Sequence, residues 1–97
     1  MNIYSESYVR EELLPDARRV FECAGLKRKG LRFEDFEPVA IYHQWLNFWE
    51  LGFIPTKDQR GTETKEGFVY SVNSNSLFGP FWCFFQNGRW ELYLAND

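Results

Sequence analysis

The apolar positions in the first 25 residues recur with the period of a helix. Five of them are spaced by four, four, three and four residues: Val9, Leu13, Ala17, Val20 and Ala24. This spacing places them on one helix face. Ser5 or Ser7 can cap the start, and Gly25 can end the helix. Pro15 removes one backbone hydrogen bond within the run, so the pattern predicts a helix that is kinked or split there.

A second apolar segment, between residues 35 and 52, also follows a helical spacing. Large apolar residues stand at i, i+4, i+7 and i+8: Ile41, Trp45, Phe48 and Trp49. Pro38 suits a first helical turn, where its missing N–H is not needed, and Gly52 suits the end. Few positions remain polar, so the segment predicts a mostly buried helix that lies across a sheet.

The second half of the chain carries strand signals. Residues 53–56 predict a short edge strand, residues 68–73 a further strand, and residues 72–80 a turn rich in Asn, Ser, Gly and Pro. Asn87-Gly88 lies between two aromatic runs and predicts a hairpin with a two-residue turn. The order of elements predicts a single α+β domain over residues 1–97. Two N-terminal helical segments, the first kinked or split at Pro15, pack on a C-terminal antiparallel sheet of three to four strands in meander order.

A two-residue turn at positions 87–88 fixes which side chains share each face of this hairpin. One face is apolar and is expected to be the core face: Phe81, Cys83, Phe85, Trp90, Leu92 and Leu94. The opposite face mixes rings with polar groups: Trp82, Phe84, Gln86, Arg89, Glu91 and Tyr93. The first helix could cover this second face. If it is open, its Trp, Tyr and Arg content is typical of a protein-interface hot spot, including that of a homodimer, or of a surface that stacks bases.

Composition narrows the class of protein. Aromatic residues make up 20% of the chain, which indicates a core built from large rings, and the net charge is −3. The N-terminus shows no signal-peptide pattern, and no apolar run is long enough to cross a membrane. Two cysteines, Cys23 and Cys83, are expected to be buried thiols, which favours a reducing, cytoplasmic location.

The sequence offers little catalytic chemistry. His43 is the only histidine, and its apolar surroundings favour a hydrogen bond at the edge of a core over a role in catalysis. Two distant cysteines and one histidine do not form a zinc pattern, and no phosphate-binding glycine motif occurs. We therefore expect no enzyme activity, no metal and no cofactor.

Two functions from different classes remain as hypotheses. The first is a non-enzymatic module that binds a larger protein or complex through Trp82, Phe84, Arg89, Glu91 and Tyr93. Small acidic domains without motifs occur among phage and mobile-element inhibitors and among immunity proteins, so an inhibitor or adaptor is the expected type, by analogy only.

The alternative is nucleic-acid binding through the aromatic residues of the sheet and a basic connector: Lys27, Arg28, Lys29 and Arg32. The acidic balance of the chain makes this the weaker hypothesis. The polar stretch at residues 58–67 is longer than most connections and predicts either a functional loop or a disordered one.

Overall fold

The N-terminal part of the chain is one continuous helical run of changing type. The computed structural model describes residues 2–25, 30–56 and 64–93. The run comprises helix α1 (Glu6–Tyr8), a π-helical turn (Val9–Leu13), a 3-10 turn (Leu14–Asp16) and helix α2 (Ala17–Ala24). The Ser5 hydroxyl accepts a hydrogen bond from the Tyr8 N–H at 3.2 Å and caps the start. The change of helix type around Pro15 confirms the predicted irregularity.

Five strands follow the helix and close into a barrel. They are β1 (Phe36–His43), β2 (Phe48–Pro55), β3 (Thr64–Ser71), β4 (Ser76–Gln86) and β5 (Arg89–Tyr93). Consecutive strands pair antiparallel, and β5 pairs with β1 in parallel. An odd number of alternating strands brings the first and last strands together in the same direction, so the closing pair is parallel. The α+β class and meander order are confirmed, whereas the open sheet of three to four strands is wrong.

The predicted second helix is a β-hairpin instead. Residues 36–55 form β1 and β2, joined by a turn in which Asn47 has φ 53° and donates its N–H to the His43 carbonyl at 2.8 Å. Trp45 and Leu46, expected on a buried helix face, lie in this turn and are 58% and 60% exposed. Both faces of the hairpin are apolar because one lines the barrel and the other packs on the helix. That double burial hides the alternation by which a strand is recognised.

Two apolar cores lie on the two sides of the barrel wall. The inner core fills the barrel and consists of Ile41, Ile54, Val69, Cys83 and Leu92. The outer core lies between the helical run and the outer faces of β1 to β4, and includes Val9, Val20, Phe21, Ala40, Leu51, Phe53, Tyr70 and Leu77. The Phe21 ring meets the Phe53 ring edge-on, with centroids 5.0 Å apart. The single helical run therefore packs on one side of the barrel.

Strand β4 is longer than the sequence predicts, and it contains a bulge. Residues 76–80 belong to β4, so the predicted turn is confined to residues 72–75. Gly67 pairs with Phe81 and Val69 with Phe78, which leaves β4 with one extra residue in this interval. The extra residue keeps Phe78 and Phe81 on the same side of the sheet, facing the barrel.

Gly67 lies where β3 approaches its neighbours most closely. A Cβ added there would lie 2.8 Å from the Phe53 carbonyl oxygen and 3.2 Å from Cys83 Sγ. We expect Gly67→Ala to lower the free energy of unfolding by about 1–2 kcal/mol in urea denaturation, since a backbone atom has to move. Gly25→Ala is the control, because its new methyl would come no nearer than 3.6 Å to Leu77 Cδ1. Equal losses in the two variants would contradict the close approach.

Candidate functional site

The β4–β5 hairpin has the register that the sequence predicts. Trp82 pairs with Tyr93, and Phe84 pairs with Glu91. Asn87 and Gly88 have φ of 56° and 75°, the left-handed conformation of a two-residue turn. The turn prediction is therefore confirmed.

The predicted core face of this hairpin is correct only in part. Cys83 and Leu92 are fully buried in the barrel, and Phe81 and Trp90 are partly buried. Phe85 is 54% exposed, so its assignment to the core is wrong. In the described part of β3, the last pair with β4 is Thr64 with Phe84. Leu94 lies outside the described residues.

The opposite face of the hairpin is on the outside of the barrel. Trp82 is 46% exposed there, because the helical run meets β4 only farther along, at Leu77. Phe84 is partly buried, and Gln86 is exposed. Tyr93 belongs to β5, but its side chain is outside the described part of the structure. The helix therefore does not cover Trp82, as the hypothesis of a binding surface on this face requires.

Glu91 lies on this face as the sequence predicts, but its burial is unexpected: the residue is only 1% exposed. Its Oε1 accepts hydrogen bonds from Gln44 Nε2 at 2.8 Å and from Gln86 Nε2, and its Oε2 accepts one from Arg89 Nε at 2.7 Å. Burial alone would raise the pKa of Glu91. The hydrogen bonds from Arg89, Gln86 and Gln44 outweigh this effect and lower the pKa, so the carboxylate is charged at neutral pH.

The Arg89 guanidinium lies over two rings of the β1–β2 hairpin. Its Cζ is 4.1 Å from the centroid of the Tyr42 ring and 5.7 Å from that of Trp49. The guanidinium of Arg10, in the helical run, lies 5.6 Å from the centroid of the same Trp49 ring. These are cation–π distances. Glu91 and the two rings thus hold the Arg89 guanidinium in one position.

Strand pairing places these residues in one continuous outer surface. Trp49 pairs with Tyr42, Tyr42 with Glu91, and Glu91 with Phe84, across four strands. We call this surface the arginine face, and define it by Tyr42, Trp49, Trp82, Phe84, Arg89 and Glu91. Sequence reasoning found the last four and missed the two rings and Gln44, because it placed them on a helix. The alternation of Ala40 and Tyr42 with Ile41 and His43 was the signal available.

A pocket opens at the end of the barrel near the β1–β2 turn. It has a volume of about 310 Å³, and we call it the mouth pocket. Its lining includes three polar residues and three rings: His43, Glu50, Ser71, Phe48, Phe78 and Phe81. His43 is 6% exposed, and its Nδ1 is buried without a hydrogen-bond partner among the described residues. The expected hydrogen bond from this histidine is therefore not formed at Nδ1.

The titratable groups around the barrel are shifted by burial. Burial lowers the pKa of His43 and raises the pKa of Glu50 to about 7. Burial also raises the pKa of the Cys83 thiol to about 12, so it stays protonated. Cys23 is exposed, which corrects the expectation of two buried thiols.

The basic connector lies mostly outside the described residues, which include neither Lys27 nor Arg28 nor Lys29. Arg32 is described and exposed. The pKa of Glu34 is lowered by a backbone hydrogen bond and by the nearby Arg18 and Arg32. Of the polar stretch at residues 58–67, only the last four residues are described, and they belong to β3.

No three His, Cys, Asp or Glu side chains within residues 2–25, 30–56 and 64–93 gather closely enough to hold a metal ion. In the same ranges, no helix has the length and apolar character required to cross a membrane.

Comparison with protein-family models, with curated proteins and with solved structures gives no significant match. The fold and the two surfaces therefore define the protein only as a small α+β domain, in which an N-terminal helical run packs on a five-stranded barrel.

Proposed function

We propose that this protein is a non-enzymatic module that captures another protein through the arginine face, as a small inhibitor or adaptor. The observation that carries the proposal is the Arg89 guanidinium held over Tyr42 and Trp49, on the same outer surface of the barrel as the half-exposed Trp82. Trp, Tyr and Arg are the residues that most often dominate the binding energy of protein interfaces.

The arginine face is organised before any partner arrives. Arg89 Nε is bonded to Glu91, which is bonded in turn to Gln44 and Gln86. A side chain that is already ordered loses less conformational entropy on binding than a free one. The rigid cluster therefore favours specific binding through this surface.

The face also indicates what a partner has to offer. Arg89 uses Nε for Glu91, and its two Nη groups make no hydrogen bond within the described part of the chain. They can donate to a carbonyl or carboxylate of the partner. Trp82 presents a large apolar ring that can enter a cleft of the same partner. The partner is therefore a protein with both an acceptor group and an apolar cleft.

The test compares two exposed aromatic residues of one strand. The tagged protein is used to capture partners from a lysate of its native cells, and the partner found is purified and titrated against each variant. We expect Trp82→Ala to weaken that binding by about tenfold or more, the usual loss at a hot spot. Phe85→Ala is the matched control, because Phe85 is 54% exposed but lies on the other face of β4.

Thermal unfolding of both variants separates binding from stability. A Trp82→Ala protein that binds normally, or that loses binding only because it unfolds, would overturn the proposal. Sedimentation of the protein alone tests a second copy of the chain as the partner. A dimer that Trp82→Ala dissociates and Phe85→Ala does not would identify self-association as the function of the face.

A further inference from the structure

The mouth pocket contains a carboxylate without a partner. Glu50 lies on β2 and faces the pocket, and it forms no hydrogen bond or ion pair with any described residue. Its neighbours across the pocket are largely apolar, with Phe78 and Phe81 from β4 and Leu92 from β5. A carboxylate in such surroundings is poorly solvated, and a cation beside it would restore the lost interaction.

The carboxylate oxygens of Glu50 accept hydrogen bonds, so they favour a cation that carries N–H groups. The faces of phenylalanine rings attract cations. Phe78 is 45% exposed, and its ring lines the opening through which a ligand would enter.

We propose that the mouth pocket binds a primary ammonium group on a short apolar stem, with Glu50 as the counter-ion. The stem would lie against Phe78 and Phe81. The pocket, at about 310 Å³, has room for a four-carbon stem with its ammonium group. The same chemistry is found in a free alkylamine and in a lysine side chain of a polypeptide. This site is separate from the arginine face and does not depend on the function proposed for that face.

The charges around Glu50 define how binding should depend on pH. The titratable groups that line the pocket are Glu50 from β2 and His43 from β1, and its named residues from β3, β4 and β5 carry no charge. Burial raises the pKa of Glu50 to about 7 and lowers that of His43. Only the ionised carboxylate pairs with an ammonium group. The affinity should therefore increase about tenfold between pH 6 and pH 8, as the ionised fraction of Glu50 increases.

The experiment titrates n-butylamine into the ¹⁵N-labelled protein and follows the backbone amide signals by NMR. We expect saturable shifts at residues of the pocket, such as Ser71 and Leu92, with millimolar affinity that strengthens from pH 6 to pH 8. Glu50→Gln should weaken binding at pH 8 by about tenfold or more, because it removes the charge with little change in shape. Glu66→Gln, which removes an exposed carboxylate of β3, should bind as the unchanged protein does.

Neutral and anionic compounds of similar shape complete the test. N-Butylacetamide and butyrate should not bind. Equal binding of these compounds, equal binding by the Glu50→Gln protein, or no shift with n-butylamine would overturn the proposal. Nα-Acetyl-lysine methylamide identifies the source of the ligand. Tighter binding than that of n-butylamine indicates a lysine of a polypeptide, and equal or weaker binding indicates a free amine.

Discussion

Replacing Glu50 with glutamine is expected to make the protein more stable at pH 8 by about 2–3 kcal/mol, and to leave its stability nearly unchanged below pH 4.5. Glu50 is partly buried among the apolar residues of the mouth pocket, and burial raises its pKa from 4.5 to about 7. The folded protein therefore keeps a proton on Glu50 in a pH range in which the unfolded chain has lost it.

The sign of the effect follows from this difference in proton binding. The stability that Glu50 contributes is complete below pH 4.5, and it is lost as the pH rises through the folded-state pKa of about 7. Glutamine is neutral at every pH and has no such loss. His43, whose pKa is lowered by burial, destabilises the fold as the pH falls below about 6.5. It does so in both proteins, so its contribution cancels in the comparison.

The measurement is urea denaturation of both proteins at several pH values between 4 and 8, within the range where a carboxyl with this pKa titrates. Glu66→Gln is the control, because it makes the same chemical change at an exposed residue of the barrel. A constant difference between the Glu50→Gln protein and the unchanged one at every pH would show that packing, and not ionisation, is responsible. A carboxyl that costs stability at neutral pH is typical of a residue retained for function.

The β4–β5 hairpin was predictable because residues next to each other in the sequence determine its turn. Two adjacent residues that accept positive φ fix the turn, and the turn fixes every cross-strand pair that follows. The pairs Phe84–Glu91 and Trp82–Tyr93 could therefore be read from the sequence. The exposure of Phe85 could not, because it depends on what packs beside the hairpin, which is a property of the tertiary structure.

The β1–β2 hairpin was not predictable from periodicity, for a physical reason. Its inner residues, such as Ile41, fill the barrel, and its outer residues, such as Leu51 and Phe53, meet the helix. Apolar residues on both faces match a buried helix as well as a buried strand. The preference of β-branched and aromatic residues for strands was the remaining signal, and it is weak compared with tertiary context.

The incorrect prediction of a helix between residues 35 and 52 explains why part of the candidate site was not predicted from the sequence. Tyr42, Gln44 and Trp49 all lie on residues 36–55, so placing them on a helix separated them from Arg89 and Glu91. Only closure of the barrel, through the parallel pairing of β1 with β5, brings the two hairpins side by side. The burial of Glu91 likewise depends on Gln44, which is 47 residues away in the chain.

Arg89→Ala is expected to lower the free energy of unfolding by about 2–4 kcal/mol at pH 7, because it leaves a buried carboxylate with too few donors. Glu91 is 1% exposed and would keep only the hydrogen bonds from Gln44 and Gln86. Arg89→Lys should recover only part of the loss, since an ammonium group cannot both bond to Glu91 and lie over the Tyr42 ring. Urea denaturation of the three proteins measures these differences.

The pH dependence of the same variants identifies the cause of the loss. The lowered pKa of Glu91 means that its stabilising effect is present above the usual value of 4.5 and is lost as the pH falls through the lowered pKa. Arg89→Ala should weaken this dependence. Adding Glu91→Gln to Arg89→Ala should restore part of the stability, because the buried charge is removed. If the double variant is no more stable than Arg89→Ala alone, the stacking of Arg89 on Tyr42 and Trp49, and not the charge of Glu91, stabilises the arginine face.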